Sequence, residues 1–176
     1  MAKSTAKKKP VKSAPKKAIA KKKIAPKKKP APSVNWLAEG YLSITPFLTV
    51  KDPAAAIKFY QKAFGFTKKF SMTAPDGKVN HGEVMYEGSV FMVGRESEEQ
   101  KMFAPSRFQG SSLTLYVYTP NVNALCKKAK KAGAVCVQEP QDMYWGDRIC
   151  ILFDPDGYMW MFATHVKDVA PEDMHP

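Results

Sequence analysis

Long apolar runs are missing from this 176-residue chain. No stretch approaches the ~20 residues that a membrane-spanning helix needs, and the N-terminus lacks the apolar core of a secretory signal. Cysteine is scarce. Cys126, Cys136 and Cys150 are odd in number, show no C-x-x-C spacing and stand among apolar neighbours. They read as free buried thiols in a reducing compartment, not as a disulfide framework or a zinc site. Residues 1–33 contain no acid, arginine, aromatic residue, Asn or Gln. Together these absences exclude a membrane span and a disulfide-stapled secreted module, and they point to a soluble cytoplasmic protein.

Lysine is abundant, and unevenly so. The formal net charge is +12, yet thirteen of the 28 basic residues are lysines within residues 1–33. The remaining fifteen face all sixteen acids, so the rest of the chain carries about −1. Lys7-Lys8-Lys9, Lys16-Lys17, Lys21-Lys22-Lys23 and Lys27-Lys28-Lys29 alternate with Ala and Pro. Pro10, Pro15, Pro26, Pro30 and Pro32 interrupt any helix, like charges repel, and only Ile19 and Ile24 offer apolar bulk. Residues 1–36 therefore read as a disordered tail. Its composition resembles the arms of linker histones and bacterial histone-like proteins. The lysine clusters are the candidate nucleic-acid contacts, binding phosphates non-specifically by counterion release. In a bacterial source this implies nucleoid association; a solubilising extension and attraction to anionic lipid are the competing readings.

The other ~140 residues hold enough apolar and aromatic content for one domain, and they repeat. Residues 41–50 alternate as a strand. Asp52-Pro53 supplies an N-cap and a first-turn proline, Ile57, Tyr60 and Phe64 share a helical face, and Gly65 stops the helix. Three strands follow, punctuated by Pro75-Asp76-Gly77 and Glu87-Gly88. The second half runs in the same order: a strand at 112–117, a helix at 121–132 ended by Gly133, and strands near 134–138, 148–153 and 158–164. The last two are joined by the turn Asp154-Pro155-Asp156-Gly157. The fold class is α+β with two βαβββ modules, residues 41–94 and 112–165, inside a domain spanning 37–168. Residues 95–111 form a linker or flap, and 169–176 a frayed terminus.

The order and spacing of these motifs resemble the vicinal-oxygen-chelate (glyoxalase/bleomycin-resistance/extradiol dioxygenase) superfamily. Val50-Lys51-Asp52, Phe59-Tyr60 and Phe64-Gly65-Phe66 are similar to its opening signature. Tyr144-Trp145-Gly146-Asp147-Arg148, Asp154-Pro155-Asp156-Gly157 and Ala163-Thr164-His165 resemble the closing module of PhnB-like members. The resemblance implies that each module curls into half of a cup, that the chain forms a homodimer, and that metal-dependent relatives place His, Gln or Glu ligands on the first and last strand of each module. Those places fall on Thr45, Met92, Ser112 and Met161. Two hydroxyls and two thioethers do not serve a hard divalent cation, so no metal and no cofactor are expected there.

Strand alternation puts Thr45, Phe47, Met92, Ser112, Thr114, Tyr116 and Met161 on the concave face. It turns Leu48, Val50, Phe91, Val93, Leu113, Leu115, Val117, Trp160 and Phe162 toward the helices. Such a lining suits a flat or apolar small molecule and equally a filled core. Arg148 beside Tyr144 and Trp145 is placed to clamp an anionic group, or else to pair with Asp147 or Asp154. His81 and Glu83 share a strand face and are the candidate catalytic pair, against the alternative of a surface pair flanking a hairpin. His165 is placed near the mouth of the cup. The leading expectation is a metal-independent small-molecule-binding protein with a polycationic tail. The alternatives are a lyase, isomerase or dioxygenase-type enzyme using His81 and Glu83, and a nucleic-acid-associated architectural dimer.

Overall fold

A computed structural model describes residues 34–175. The lysine clusters at 7–29 lie outside the described residues. The first module comprises β1 (Phe47–Val50), α1 (Pro53–Phe64), β2 (Thr67–Thr73), β3 (Val79–Tyr86) and β4 (Ser89–Arg95). The second comprises β5 (Thr114–Tyr118), α2 (Val122–Ala132), β6 (Val135–Asp142), β7 (Asp147–Phe153) and β8 (Met159–His165). Each builds a four-stranded sheet, in the orders β1-β4-β3-β2 and β5-β8-β7-β6. In both, the first strand runs parallel to the last, and antiparallel hairpins complete the sheet. The two βαβββ modules read from the sequence are present.

Local chemistry explains the helices. The Asp52 carboxylate accepts the Ala54 and Ala55 N–H groups, and Asn121 accepts from Ala124, satisfying donors left open at each first turn. Gly65 and Gly133 end the helices at φ 80° and 109°, a left-handed cap that a side chain disfavours. The Thr164 hydroxyl accepts from Val122 N–H and donates to the Thr119 carbonyl, fixing the entry to α2.

One core runs through both modules. Leu48, Val50, Val84 and Val93 meet Ile57, Tyr60 and Phe64 from α1; Leu152, Trp160 and Phe162 meet Leu125, Cys126 and Ala129 from α2. The modules join through rings: Trp160 lies 5.0 Å from Phe64 and 5.4 Å from Tyr60, and Phe162 lies 4.7 Å from Phe64. Asp154, almost fully buried, anchors this junction. Its Oδ1 accepts the N–H groups of Asp156 and Tyr158 within the turn, and its Oδ2 accepts the Tyr60 hydroxyl and the Trp160 indole N–H. Burial pushes its pKa up against those donors. The Tyr158 hydroxyl reaches β1, accepting from Thr49 N–H at 2.8 Å and donating to the Thr49 carbonyl at 3.0 Å.

Two expectations are corrected. The first strand begins at Phe47, not at 41, because Tyr41 turns away to meet Glu83. Leu113 does not face a helix; it precedes β5 and is 45% exposed. Within residues 95–111, Glu96 accepts Ala104 N–H, Ser106 N–H bonds the Asp156 carbonyl, and Pro105–Arg107 forms a 3-10 turn. Near the C-terminus Pro171–Asp173 forms another such turn.

Candidate functional site

Each sheet turns one face to the helices and leaves the other open. On the first module the open face carries the cross-strand row Phe47–Met92–Glu83–Phe70. Glu83 is 3% exposed. It accepts the Tyr41 hydroxyl at 2.7 Å, with Lys69 Nζ at 3.4 Å and His81 Nε2 at 3.7 Å. The Lys69 ammonium lies 3.6 Å from the Tyr41 ring centroid, a cation–π contact. Its hydrogen bond with Tyr41, and then Glu83, raises the Lys69 pKa. The Phe47 ring lies across Gly94, where a Cβ would come within 2.4 Å of it, and stacks 5.8 Å from His81. His81 and Glu83 thus do meet, in a carboxylate site already ringed by donors.

On the second module the buried carboxylate is Asp147, at the start of β7 and also 3% exposed. Its Oδ2 accepts the hydroxyls of Tyr116 at 2.7 Å and Tyr118 at 2.9 Å, and its Oδ1 faces His165 Nδ1 at 2.8 Å. Trp145 Nε1 donates to the Tyr116 oxygen at 3.4 Å, and His165 Nε2 contacts Asp168 at 3.0 Å. Burial raises the Asp147 pKa, but the bonds from Tyr116, His165 and Tyr118 outweigh it and hold the carboxyl below its ordinary range. The two carboxylates Asp168 and Asp147 hold the His165 imidazole up. Burial, then the Asp147 bond, drives the Tyr116 phenol well above its usual value, and the Asp147 bond raises that of Tyr118.

This geometry has chemical consequences. Both phenols spend their O–H on Asp147, so each presents an aromatic face; the Tyr116 oxygen takes the Trp145 N–H and the Tyr118 oxygen is the acceptor that faces outward. Tyr118 is 57% exposed and Tyr116 42%; Trp145 reaches Tyr116, and Tyr144 stands edge-on to Trp145 at 4.9 Å. Both ring nitrogens of His165 are engaged. The arrangement orders an aromatic surface; it does not leave a free base.

The remaining candidates fall as follows. Thr45 and Ser112 precede β1 and β5, and Thr45 donates to the Leu42 carbonyl. Met92 pairs with Phe47 and Met161 with Tyr116, so the four places implied for metal ligands do not lie level across their sheets. Their hydroxyls and thioethers do not fit a hard divalent cation. The imidazole–carboxylate pairs nearby are no better: the oxygens of Glu83 and Asp147 are already engaged. Thr114 donates to the Met159 sulfur. Arg148 pairs with neither Asp147 nor Asp154; it forms a bidentate bond to Asp142 at 2.6 and 2.8 Å. An open cleft of about 460 Å³ is lined by Phe47, Phe103, Phe108, Leu113 and Tyr158, where the linker meets both modules. Sequence reasoning missed Asp147 and Tyr118 as site residues, and Tyr41 and Lys69 on the other face. The signal for Asp147 was present, because residues 147, 149 and 151 share strand parity whereas Arg148 opposes them.

Among the described residues no helix is long and apolar enough to cross a membrane. Curated relatives include an uncharacterized protein of Mycobacterium bovis, 30% identical over 75% of this chain and 89% of its own length. An uncharacterized protein of Mycobacterium tuberculosis is likewise 30% identical, over 75% of this chain and 79% of its own. Among solved structures, TioX from Micromonospora sp. ML1 is 26% identical with a TM-score of 0.57, over 70% of this chain and 98% of that one. A glyoxalase-related enzyme from Fulvimarina pelagi is 20% identical with a TM-score of 0.55, over 68% and 85%, which speaks for the fold alone. The profile of the Glyoxalase/Bleomycin resistance protein/Dioxygenase superfamily matches residues 35–162, and with the paired βαβββ sheets this places the chain in that superfamily.

Proposed function

We propose that this chain is a metal-independent small-molecule-binding protein whose ligand lies on the open face of the second module. The observation that carries the reading is the exposed aromatic surface ordered around the buried Asp147 carboxylate. Tyr116, Tyr118, Tyr144 and Trp145 offer ring faces for stacking, the Tyr118 oxygen accepts from a donor on the ligand, and Met159 and Met161 supply soft apolar contact. A flat aromatic molecule carrying an N–H or O–H donor matches this chemistry. Arg148 is tied to Asp142 and stands on the opposite strand face from Asp147, so it is not part of this ligand surface.

Two further parts belong to the reading. The apolar open face of the first module, with Phe47 44% and Met72 57% exposed, favours a homodimer that covers it, since contiguous exposed apolar surface marks an interface. The lysine-rich tail adds non-specific association with nucleic-acid phosphates. Calorimetric titration of the full chain against donor-bearing aromatic metabolites tests the binding: we expect a complex that Tyr118→Ala and Trp145→Ala each weaken about 10-fold. Failure to bind any member of a broad aromatic set sinks the reading. Gel shifts with and without residues 1–33 test the tail, whose removal is expected to abolish the salt slope.

A second reading, an enzyme using His81 and Glu83, draws on their 3.7 Å approach. It requires Glu83 to exchange Tyr41 or Lys69 for substrate. Stoichiometric zinc, nickel, manganese or iron that is retained by protein purified without chelators and lost on His81→Ala favours it over the first.

A further inference from the structure

On the helix side of the second sheet, away from the open face, the three cysteines come together. Cys126 projects from α2, Cys136 from β6 and Cys150 from β7. All are free thiols. Cys126 Sγ stands 3.8 Å from Cys136 Sγ and 3.8 Å from Glu139 Oε2. The ligand atoms of these three residues lie within 4.8 Å of one another, a donor grouping of a kind that no other trio among the described residues forms. The Cys150 thiol neighbours that of Cys126.

The separations match a tetrahedral soft-metal site. A Zn–S distance of about 2.3 Å places two sulfurs about 3.8 Å apart at the tetrahedral angle, and a Zn–O distance of about 2.0 Å places sulfur and oxygen about 3.5 Å apart. Charge also closes. Two thiolates and one carboxylate bring −3, a divalent ion brings +2, and the Lys130 ammonium, already bonded to Glu139, brings the last positive charge. Access is open: Cys126 and Glu139 line a surface cleft of about 390 Å³ together with Asn123, Lys127 and Lys130. Burial raises the thiols of Cys126 and Cys150, the latter to about 11, and a bound ion favours the thiolate against that burial.

We propose that Cys126, Cys136 and Glu139 bind one thiophilic divalent cation of the zinc class, with the fourth position open to the cleft. The ion clips α2 to β6. It lies outside the ligand-binding face, so it neither supports nor contradicts the function proposed above. Loading releases two thiol protons, and affinity rises with pH by up to about 100-fold per unit. The lysines at the cleft mouth slow entry of a cation and favour the thiolates once formed.

Cobalt(II) titration of the full chain, reduced and held without oxygen, tests the site. One ion per chain is expected, with a thiolate-to-cobalt charge-transfer band, displacement by zinc, and about two protons released per ion. Cys136→Ser removes the band, and Glu139→Gln, at an exposed position, weakens binding at least 10-fold with far-UV circular dichroism unchanged. Absence of a thiolate band, or a band that Cys136→Ser leaves intact, overturns the proposal. So does reduced protein that takes no cobalt yet joins Cys126 to Cys136 as a disulfide when treated with a hydroperoxide.

Discussion

The open faces of the two modules share one pleat and differ in how their buried acid is used. Glu83 and Asp147 are equally buried. The first is roofed by Tyr41 from the segment before β1 and flanked by the Lys69 cation and His81. The second is approached by two phenols from β5 and the imidazole that ends β8. In the first module, chain lying outside the sheet closes over the acid. In the second, the sheet itself supplies every partner, and the partners' rings stay exposed. Two copies of one architecture thereby come to hold a covered charge and an uncovered aromatic surface.

Breaking the ring junction tests whether the two faces depend on one frame. Trp160 is fully buried and touches Tyr60, Phe64, Phe66, Phe91 and Phe162. Trp160→Ala is expected to cost about 3–5 kcal/mol, read by chemical denaturation, with both faces lost in a single transition. Asp147→Ala comes next. It leaves Tyr116, Tyr118 and His165 without their acceptor, for about 2–4 kcal/mol, and it frees the rings that the proposed ligand stacks on. Tyr118→Phe keeps the ring and drops one hydrogen bond at an exposed position; about 0.5–1 kcal/mol is expected.

A pH series sharpens the comparison most finely. Asp147 titrates below its ordinary 3.8 in the folded chain, so its contribution is present above that value and fades as pH falls through the folded pKa. His165 titrates above its ordinary 6.5, so its contribution is complete below 6.5 and fades as pH rises through the folded pKa. The stability difference between the wild type and His165→Gln is therefore expected to be largest between about pH 4 and 6.5 and to shrink toward pH 8. A difference that grows with pH breaks the assignment of His165 to the carboxylate pair.

Much of this was legible in the residues. Asp52-Pro53 and the glycines at 65 and 133 mark the helices, and the repeat of apolar strand positions gives two modules with their core faces. The site was less legible because it depends on which side chains cross between strands. Tyr116, Tyr118 and His165 reach Asp147 over 31, 29 and 18 residues of chain, and local spacing carries no trace of such meetings. The Trp145-Gly146-Asp147-Arg148 run drew the reading to its cation, whose guanidinium instead finds Asp142 across the β6–β7 pair. Sequence spacing gives the three cysteines no common site, because spacing is blind to a helix laid over two strands.

The Tyr158 phenol fills both backbone valences of Thr49 on the side of β1 away from β4. A single side chain there stands in for a neighbouring strand. No peptide can extend the first sheet at that border without evicting it, and eviction would strip the second module's turn of its anchor. Aggregation by strand addition, and any recruitment of a partner by the same route, is thereby steered to the far border at β2, where Lys68 and Lys69 discourage it.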